Sequence, residues 1–378
     1  MRAMDAARET CESFLPGLLK NLSDIPLEDL EKPGGPGLGL FRAAGGPGLV
    51  IPGEYKGSGA DPLQALAVVR AIGAVSPSLA VATTMHHFSV ATLFTLAGSL
   101  QSSGMEWALL EGIAEQNLLV ASGFAEGRPA QGILAPTMTA TAVDGGYVIN
   151  GSKKPCSLSA SMDLLTASVA LPTPDGGSQM AVLLVPRRTE GISNHPFWQS
   201  WALAGAESNE VRLTDVFVDE QLIMRTELGG AGELDELQTV GFIWFELLIS
   251  AAYLGMVSAL VERVYDSGRG SDSDRAGLIA KLESAALLLE GAARMVRDGE
   301  RSNAALAKTL VARYAVQDLL GECVNRAVEM LGGMAFIGSS DVAYLAAVSH
   351  GLTFHPPSRA SFGAPYLEHV AGRPLRLA

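Results

Sequence analysis

Val240 to Val261 is an apolar stretch of 22 residues that is interrupted by Glu246 and two serines. A helix of this length either crosses a lipid bilayer or runs through the centre of a large helical domain. An acidic residue near the centre of a membrane span costs about 2.5 kcal/mol or more. Acids flank the stretch, Asp235 and Glu236 before it and Glu262 after it, without a basic cluster or an aromatic belt at both ends. The sequence therefore predicts a buried helix of a bundle, and no membrane.

The periodicity of apolar residues changes twice along the chain. Helical periodicity covers residues 1–120, short β-type runs separated by turn residues cover 121–226, and helical periodicity returns over 227–378. A Rossmann domain is not predicted, because there is no βαβ alternation and no GxGxxG after a strand. We expect an α+β protein with an N-terminal α-helical domain, a central antiparallel β domain and a C-terminal four-helix bundle over these ranges.

The charge balance excludes nucleic acid as a partner. The chain has 40 acidic and 27 basic residues, a net charge of −13, which is the wrong sign for contacts to phosphates. Cys11, Cys156 and Cys323 lie far apart without a CxxC pair, so neither a disulfide framework nor a metal site is indicated. Residues 1–30 lack the basic-then-apolar order of a signal peptide. We therefore expect a cytoplasmic protein.

Five short motifs follow one another along the chain. They are Gly48–Pro52, Ser122–Gly127, Gly145–Lys153, Glu210–Val218 and Ala327–Gly333. In this order and at these distances they resemble the acyl-CoA dehydrogenase family of flavoproteins, and the hairpin motif Gly145–Lys153 is the most specific match. The resemblance implies an acyl-CoA dehydrogenase-like fold, FAD as the cofactor, and a homodimer or homotetramer.

The resemblance also implies which residues hold the flavin. Ser157 falls where the family places a hydroxyl against flavin N5, although an ordinary turn serine is an open alternative. Gly332 and Gly333 would let the backbone approach the cofactor phosphates from a neighbouring subunit, or would simply cap a helix. The pyrimidine side of the ring would be lined by three successive residues, Phe124, Ala125 and Glu126.

Glu246 is the candidate catalytic base. Its neighbours at i±1, i±3 and i+2 are apolar, so the pKa of the carboxyl should rise above about 4.3. Family members of the isovaleryl and long-chain types carry their base on this helix, but counting back from Gly255 puts Phe245 in that register, about 100° of helix rotation away. Phe245 is assigned to substrate binding. The alternative for Glu246 is a buried carboxylate paired with a cation from another helix.

The family's other position for the base aligns with His355-Pro356-Pro357-Ser358. Pro356 replaces the glutamate there and cannot abstract a proton. His355 has the required chemistry, and a histidine at this place resembles flavin monooxygenases that share the fold; a structural histidine in a turn is the alternative. The segment with which the family reaches the adenine end of FAD is missing at Arg269–Asp274, so binding of the adenosine half must differ or be weaker.

Two further groups are candidates on the substrate side. His86 and His87 are adjacent, so on a helix they point about 100° apart and make a poor metal pair; by motif position they match a family pair near substrate and flavin. Arg294 and Arg297 share one helix face and could meet coenzyme A phosphates or an acidic carrier protein, with an ordinary solvated face as the alternative.

Three functions follow from these residues. The leading hypothesis is an FAD-dependent acyl-CoA or acyl-carrier-protein dehydrogenase, in which Glu246 removes the α-proton of an acyl thioester while flavin N5 takes the β-hydride; its electron acceptor is unknown. The second is a monooxygenase or oxidase on the same fold, with His355 near flavin C4a. The third is a non-catalytic relative that serves as an assembly partner.

Overall fold

The computed structural model describes residues 1–98, 104–127, 136–173, 176–225 and 234–377. Helices come first, strands follow, and helices return. This order confirms the predicted α+β architecture, whose parts are taken in turn below.

The N-terminal part is helical. Among its helices, α5 starts with a capping box, in which the Asp61 carboxylate accepts from Gln64 N and the Gln64 side chain accepts from Asp61 N, followed by Pro62 at the first helical position. The next helix, α6, is buried on nearly all sides. The helices of this part are α1 (Arg2–Phe14), α2 (Leu18–Ser23), α3 (Leu27–Leu30), α4 (Gly37–Ala43), α5 (Pro62–Gly73), α6 (Pro77–Ala97) and α7 (Met105–Glu115).

The central part is a largely antiparallel sheet. Its strands are β1 (Val120–Gly123), β2 (Thr139–Val143), β3 (Gly146–Cys156), β4 (Leu164–Pro172), β5 (Ser178–Pro186), β6 (Ile192–His195), β7 (Asn209–Asp219) and β8 (Ile223–Arg225). They lie in the order β6-β7-β3-β2-β4-β5-β8, and β1 pairs with β4. The predicted hairpin is present, with Thr139 opposite Asn150. Strand β1 follows the last N-terminal helix and pairs in parallel with β4, with Val120 opposite Leu164. The N-terminal helices are thereby connected directly to the sheet.

The C-terminal part is a bundle built around one helix. Its helices are α8 (Glu236–Ser267), α9 (Asp272–Arg297), α10 (Asn303–Gly338), α11 (Ser340–Val348) and α12 (Arg359–Val370). Asp235 caps α8 through a capping box with Gln238, and Gly268 ends the helix in a left-handed conformation. Helices α5, α6, α9 and α10 pack around α8. A Cβ at Gly255 would lie 2.2 Å from Arg70 O, so glycine is what allows α5 and α8 to approach so closely.

Two helices, α6 and α8, are long and apolar enough by length and composition to cross a membrane. In the folded chain 78% and 94%, respectively, of their apolar windows are buried inside the protein. Such burial is what the central helix of a packed bundle shows, and it matches the predicted place of Val240 to Val261 inside α8.

One buried carboxylate joins the three parts. The carboxylate of Glu31 accepts hydrogen bonds from Ser76 Oγ, from the backbone and hydroxyl of Ser78, and from the Tyr344 hydroxyl of α11. The same Tyr344 oxygen accepts from the backbone N–H of Leu203, 3.0 Å away in the central part. The relative placement of helices and sheet therefore depends on a polar contact as well as on apolar packing.

Candidate active site

A line of aromatic rings runs from the end of the sheet to the bundle. Phe124 follows β1 and lies 6.3 Å from Phe88 of α6, measured between ring centroids. Phe88 lies 5.4 Å from Phe245 of α8, and Phe245 lies 6.0 Å from His355. We call Phe88, Phe124 and Phe245 the aromatic wall. It brings together Phe124, Phe245 and His355, which were predicted from separate motifs, and offers an apolar surface with one polar ring at its end.

His355 follows a short 3-10 helix, Ser349–Phe354, and is held from two sides. Its Nε2 lies 3.0 Å from the hydroxyl of Tyr253, a buried residue of α8. The Arg313 guanidinium donates to the backbone carbonyls of His355 at 2.8 Å and of Leu352 at 2.9 Å. Burial, assisted by the positive charge of Arg313, lowers the pKa of His355 to about 3, so the ring is neutral near pH 7.

The Glu246 side chain packs against Arg313 of α10. Its side chain is completely buried, and Oε2 lies 3.4 Å from Nε of Arg313 on α10. Burial raises the pKa of the Glu246 carboxyl to about 8, although the Arg313 charge opposes the rise, so the group is largely protonated near pH 7. Phe245, one residue earlier and about 100° around the helix, occupies the wall instead. The base hypothesis is thus corrected: Glu246 is the buried acid paired with a cation that the sequence left open as the alternative.

Glu126 is also committed to other protein groups. Its carboxylate accepts from Lys153 Nζ at 2.8 Å, from Thr137 N at 2.9 Å and from Met138 N at 3.2 Å. Lys153 is completely buried and donates to Ser168 Oγ as well. Burial works to raise the pKa of Glu126, but the hydrogen bonds from Lys153 and Thr137 lower it to about 2. The Glu126 side chain thus has a structural role, and its predicted place beside the flavin stays a prediction. The carbonyl of Ala125 accepts a hydrogen bond from Lys154 N.

Ser157 lies in the turn just after β3. Its Oγ is 2.9 Å from Oγ of Ser208, and both hydroxyls are buried. In such a pair one hydroxyl donates to the other, which leaves the second hydrogen free for another acceptor. Ser208 carries no sequence signal of its own, because it reaches Ser157 only through the packing of the loop before β7 against the end of β3.

The two adjacent histidines of α6 are core residues. His86 Nδ1 accepts from Val120 N at 3.0 Å, and Nε2–H therefore donates to Pro47 O at 2.9 Å, so this ring ties α6 to the start of β1. Burial lowers the pKa of His86 to about 4. His87 is completely buried against Phe41, and its nitrogens have no hydrogen-bond partner among the described residues. The predicted substrate-binding role is not supported for either ring.

The remaining predicted residues lie at two other places. Gly332 interrupts α10 with φ 75° and ψ 167°, and the carbonyl before it accepts from Arg269. Gly333 has open space where a side chain would stand. Arg294 and Arg297 form half-exposed ion pairs with Glu290 and Asp298, which is the solvated face held open as the alternative.

Arg313 and Tyr253 are the residues that sequence reasoning missed. Arg313 did leave a signal, because it stands in the register of an otherwise apolar stripe whose other members, Leu306, Leu310 and Leu320, are buried. A cation in such a position needs an anion from a neighbouring element. Tyr253 left no comparable signal, since a tyrosine in an apolar helix is ordinary.

Comparison with known proteins gives a consistent family assignment. The acyl-CoA dehydrogenase N-terminal domain matches residues 28–102, and the middle domain of the same family matches residues 126–216. Isobutylamine N-hydroxylase from Streptomyces viridifaciens is 52% identical over 378 residues, covering 100% of both chains. Among solved structures, FMN-bound dibenzothiophene monooxygenase from Paenibacillus sp. A11-2 has a TM-score of 0.80 at 19% identity, covering 100% of this chain and 99% of the other. A nitrososynthase from Micromonospora carbonacea var. africana has a TM-score of 0.81 at 18% identity, covering 97% and 96%.

Isobutylamine N-hydroxylase, which matches this chain over its whole length, overturns the leading functional hypothesis. Dehydrogenation of an acyl thioester was the wrong prediction, and the monooxygenase alternative agrees with this relative. The position of Glu246 agrees as well, since its carboxyl group is completely buried and lies 3.4 Å from Arg313.

Proposed function

The chain belongs to the acyl-CoA dehydrogenase family, and within it we propose that it acts as a flavin-dependent monooxygenase that hydroxylates the nitrogen of a small aliphatic amine. The observation that carries the proposal is the 52% identity to isobutylamine N-hydroxylase over the whole chain. The enzyme is an oxidoreductase under this proposal, as the sequence predicted, but it transfers oxygen instead of removing hydrogen from an acyl chain.

The groups around the aromatic wall support this chemistry. Of the two acids expected at the site, Glu126 is paired with Lys153, and Glu246 is buried beside Arg313. His355 supplies a neutral ring that can donate or accept a hydrogen bond. A site with a neutral polar ring and an apolar wall suits oxygen transfer to a neutral nucleophile better than abstraction of a proton from carbon.

A flavin fits the residues present. The Ser157–Ser208 pair has a hydrogen to donate to the polar edge of the ring, and Phe124 offers an apolar face. Arg269 beside Gly332 provides a cation for a phosphate, which accords with the role expected of the two glycines. We infer FMN in place of the expected FAD, because the family's adenine-reaching segment is missing and relatives of the same fold were solved with FMN. Reduced flavin, when bound, supplies the activation of molecular oxygen.

The aromatic wall selects the form in which an amine binds. An alkylammonium ion placed against Phe88 and Phe245 would lose its hydration without gaining a counter-charge, which is costly. A neutral amine leaves its alkyl group on the wall and keeps the lone pair that must attack oxygen. His355 then lies at the polar end of the wall, where the nitrogen is expected.

A second copy of the chain would complete the site. Several large apolar side chains near the predicted phosphate position and next to His355 are exposed, namely Met334 (75%), Ile337 (80%) and Phe354 (85%). Exposed large apolar side chains of this kind are typical of a protein–protein interface. This supports the homodimer or homotetramer expected from the sequence, which light scattering of the purified protein would test.

The function is tested by supplying reduced FMN from a separate flavin reductase, with oxygen and a series of short aliphatic amines. We expect the N-hydroxylated amine, detected by mass spectrometry with one oxygen atom from ¹⁸O₂. Anaerobic bleaching of bound flavin by an acyl thioester, with no oxygenated amine, would overturn the proposal.

Two phenylalanine variants distinguish a role of the aromatic wall in amine binding from a general effect of lost packing. Phe245→Ala should raise the KM for isobutylamine, because it removes a ring of the wall. Phe217→Ala is the matched control, since Phe217 lies on β7 and is 48% exposed. Equal effects of the two substitutions on KM would argue against the wall as the amine site.

A further inference from the structure

Tyr253 and His355 form a hydrogen bond whose direction is determined by the surroundings. The Tyr253 side chain is 1% exposed, and its hydroxyl lies 3.0 Å from His355 Nε2. A buried tyrosine hydroxyl needs an acceptor for its hydrogen. Among the described residues, His355 Nε2 is the acceptor within hydrogen-bond distance of this hydroxyl.

The protonation states of the two rings agree with this direction. Burial raises the pKa of Tyr253, so the phenol keeps its proton at any working pH. Burial lowers the pKa of His355 to about 3, so the imidazole is neutral and carries one ring hydrogen. Since Nε2 accepts from Tyr253, that hydrogen resides on Nδ1.

Neighbouring groups fix both the position and the orientation of the His355 ring. Arg313 holds the carbonyls of Leu352 and His355, so α10 sets the backbone of the loop. Tyr253 meets the imidazole edge to face, with centroids 5.5 Å apart, and Phe245 packs on it at 6.0 Å. Helix α8 therefore sets the orientation of the ring, while α10 sets its position.

We propose that Tyr253 is a positioning residue that holds His355 in the Nδ1–H form, so that the ring presents a hydrogen-bond donor, and not a lone pair, beside the aromatic wall. The inference rests on the proposed function for its consequence in turnover. A donor at this position stabilises an oxygen group that gains negative charge during oxygen transfer. With the other tautomer the ring would repel the same group.

Tyr314 provides a matched control within the same loop. Its hydroxyl donates to the carbonyl of Pro357 at 2.7 Å, two residues after His355, and so supports the loop without touching the imidazole. Tyr253→Phe and Tyr314→Phe each remove one hydroxyl from the surroundings of the loop. Only the first removes the donor to the histidine ring.

The tautomer is tested without turnover by ¹⁵N NMR of protein labelled at histidine. The His355 signals are identified by their absence in His355→Asn. In the wild type, Nδ1 should resonate as a protonated ring nitrogen and Nε2 as an unprotonated one, and Tyr253→Phe should produce a mixture of both forms. Protonation at Nε2 in the wild type, or an unchanged spectrum in Tyr253→Phe, would overturn the proposal.

The consequence is tested by the ratio of hydroxylated amine to hydrogen peroxide formed with reduced FMN and oxygen. Tyr253→Phe should lower this ratio about tenfold, the worth of one well-placed hydrogen bond, with little change in the KM for the amine. Tyr314→Phe should leave the ratio unchanged. An equal ratio in Tyr253→Phe and the wild type would overturn the role in turnover.

Substitution of His355 distinguishes its two nitrogens. His355→Asn keeps an amide donor near the Nδ1 position and should retain more product than His355→Gln, which places its amide near Nε2. In the His355→Asn background, Tyr253→Phe should change the ratio by less than about twofold, because no imidazole remains to be oriented. A full effect of Tyr253→Phe in that background would show that it acts otherwise. Absence of any oxygenated amine from the wild type would instead refute the proposed function, and the NMR result would stand by itself.

Discussion

The Nε atom of Arg313 lies 3.4 Å from the Glu246 carboxylate, and both side chains are excluded from solvent where α8 meets α10. One terminal nitrogen of the same guanidinium, Nη2, donates to two carbonyls of the loop that carries His355. An acid that looks like a base in the sequence thus lies buried beside an arginine that positions the candidate site. Its contribution is to the structure of the loop.

Replacement of Arg313 tests whether the loop that carries His355 depends on this arginine. Arg313→Met removes the donors of the loop carbonyls and leaves the Glu246 carboxyl buried without its cation, so we expect the free energy of unfolding to fall by about 3 kcal/mol. Burial already raises the pKa of Glu246 to about 8, and loss of the Arg313 charge raises it further, so the folded protein binds more protons than the unfolded one. Stability therefore decreases as pH increases above the ordinary carboxyl range, and it should decrease further in Arg313→Met than in the wild type. Urea denaturation at several pH values measures both effects.

Two controls sharpen this test. Arg313→Met combined with Glu246→Gln should remove the loss of stability at high pH but not the loss of loop hydrogen bonds. Arg326→Met breaks two exposed ion pairs, with Glu329 and with Asp274, and should still cost no more than about 1 kcal/mol. If Arg313→Met is as stable as the wild type at every pH, the pair does not hold the loop.

Three neutral histidines, two completely buried and His355 partly buried, make the protein sensitive to acid. Burial lowers the pKa of His86 to about 4 and of His355 to about 3, and it lowers that of His87 well below the ordinary value. Below about pH 6.5 the histidines of the unfolded chain take up protons that the folded protein does not bind, so the histidine contribution to stability is full above that pH and is lost as pH falls toward 4. With three such groups the slope reaches about 4 kcal/mol per pH unit.

Substitution of His87 checks the predicted dependence of stability on pH. His87→Leu should reduce the measured slope by about one proton, and it should not destabilise the protein at pH 8, because the His87 ring nitrogens have no partner among the described residues. Chemical denaturation between pH 5 and 8 gives the slope. A free energy of unfolding that is constant over this range would contradict the assignment.

Lys153 should matter far more than its neighbour Lys154. Lys153→Met leaves the Glu126 carboxylate without its buried cation, and we expect a loss of about 3 kcal/mol together with weaker flavin binding. Lys154→Met, which breaks a pair with Glu210 in which the lysine is 30% exposed, should cost less than about 1 kcal/mol. Thermal denaturation and flavin titration measure the difference, and similar losses for both lysines would count against the pairing.

The same pair predicts a second response to acid. Hydrogen bonds from Lys153 and Thr137 outweigh burial and hold the pKa of Glu126 near 2. The stabilisation is present above the ordinary carboxyl pKa and is lost as pH falls toward 2. Lys153→Met should therefore show a shallower decline of stability below pH 4.5 than the wild type.

The contact between Tyr344 and Glu31 should hold the three parts of the chain in register. Tyr344→Phe removes a donor to a buried carboxylate and the acceptor of Leu203 N, which should cost about 2 kcal/mol. Tyr265→Phe is the control, because Tyr265 is 52% exposed. Limited proteolysis should cut the Tyr344→Phe variant faster, and equal cleavage of the two variants would exclude the role.

The sequence by itself determined the elements and their order. Capping residues such as Asp61, turn residues such as Gly145 and the length of the apolar run Val240 to Val261 act on their covalent neighbours, and helix, hairpin and core helix follow from them. The motif at Phe124 and the histidine at position 355 likewise indicated two ends of the same site.

Only the tertiary structure decided which charges and rings meet. Glu246 and Arg313 are far apart along the chain, as are Glu126 and Lys153 and the two rings of Tyr253 and His355. Periodicity along one helix shows that a residue is buried, but it carries no information about the side chain that the next helix brings to it. The pKa, the ion pair and the tautomer all depend on that second side chain, and therefore on the way the helices pack.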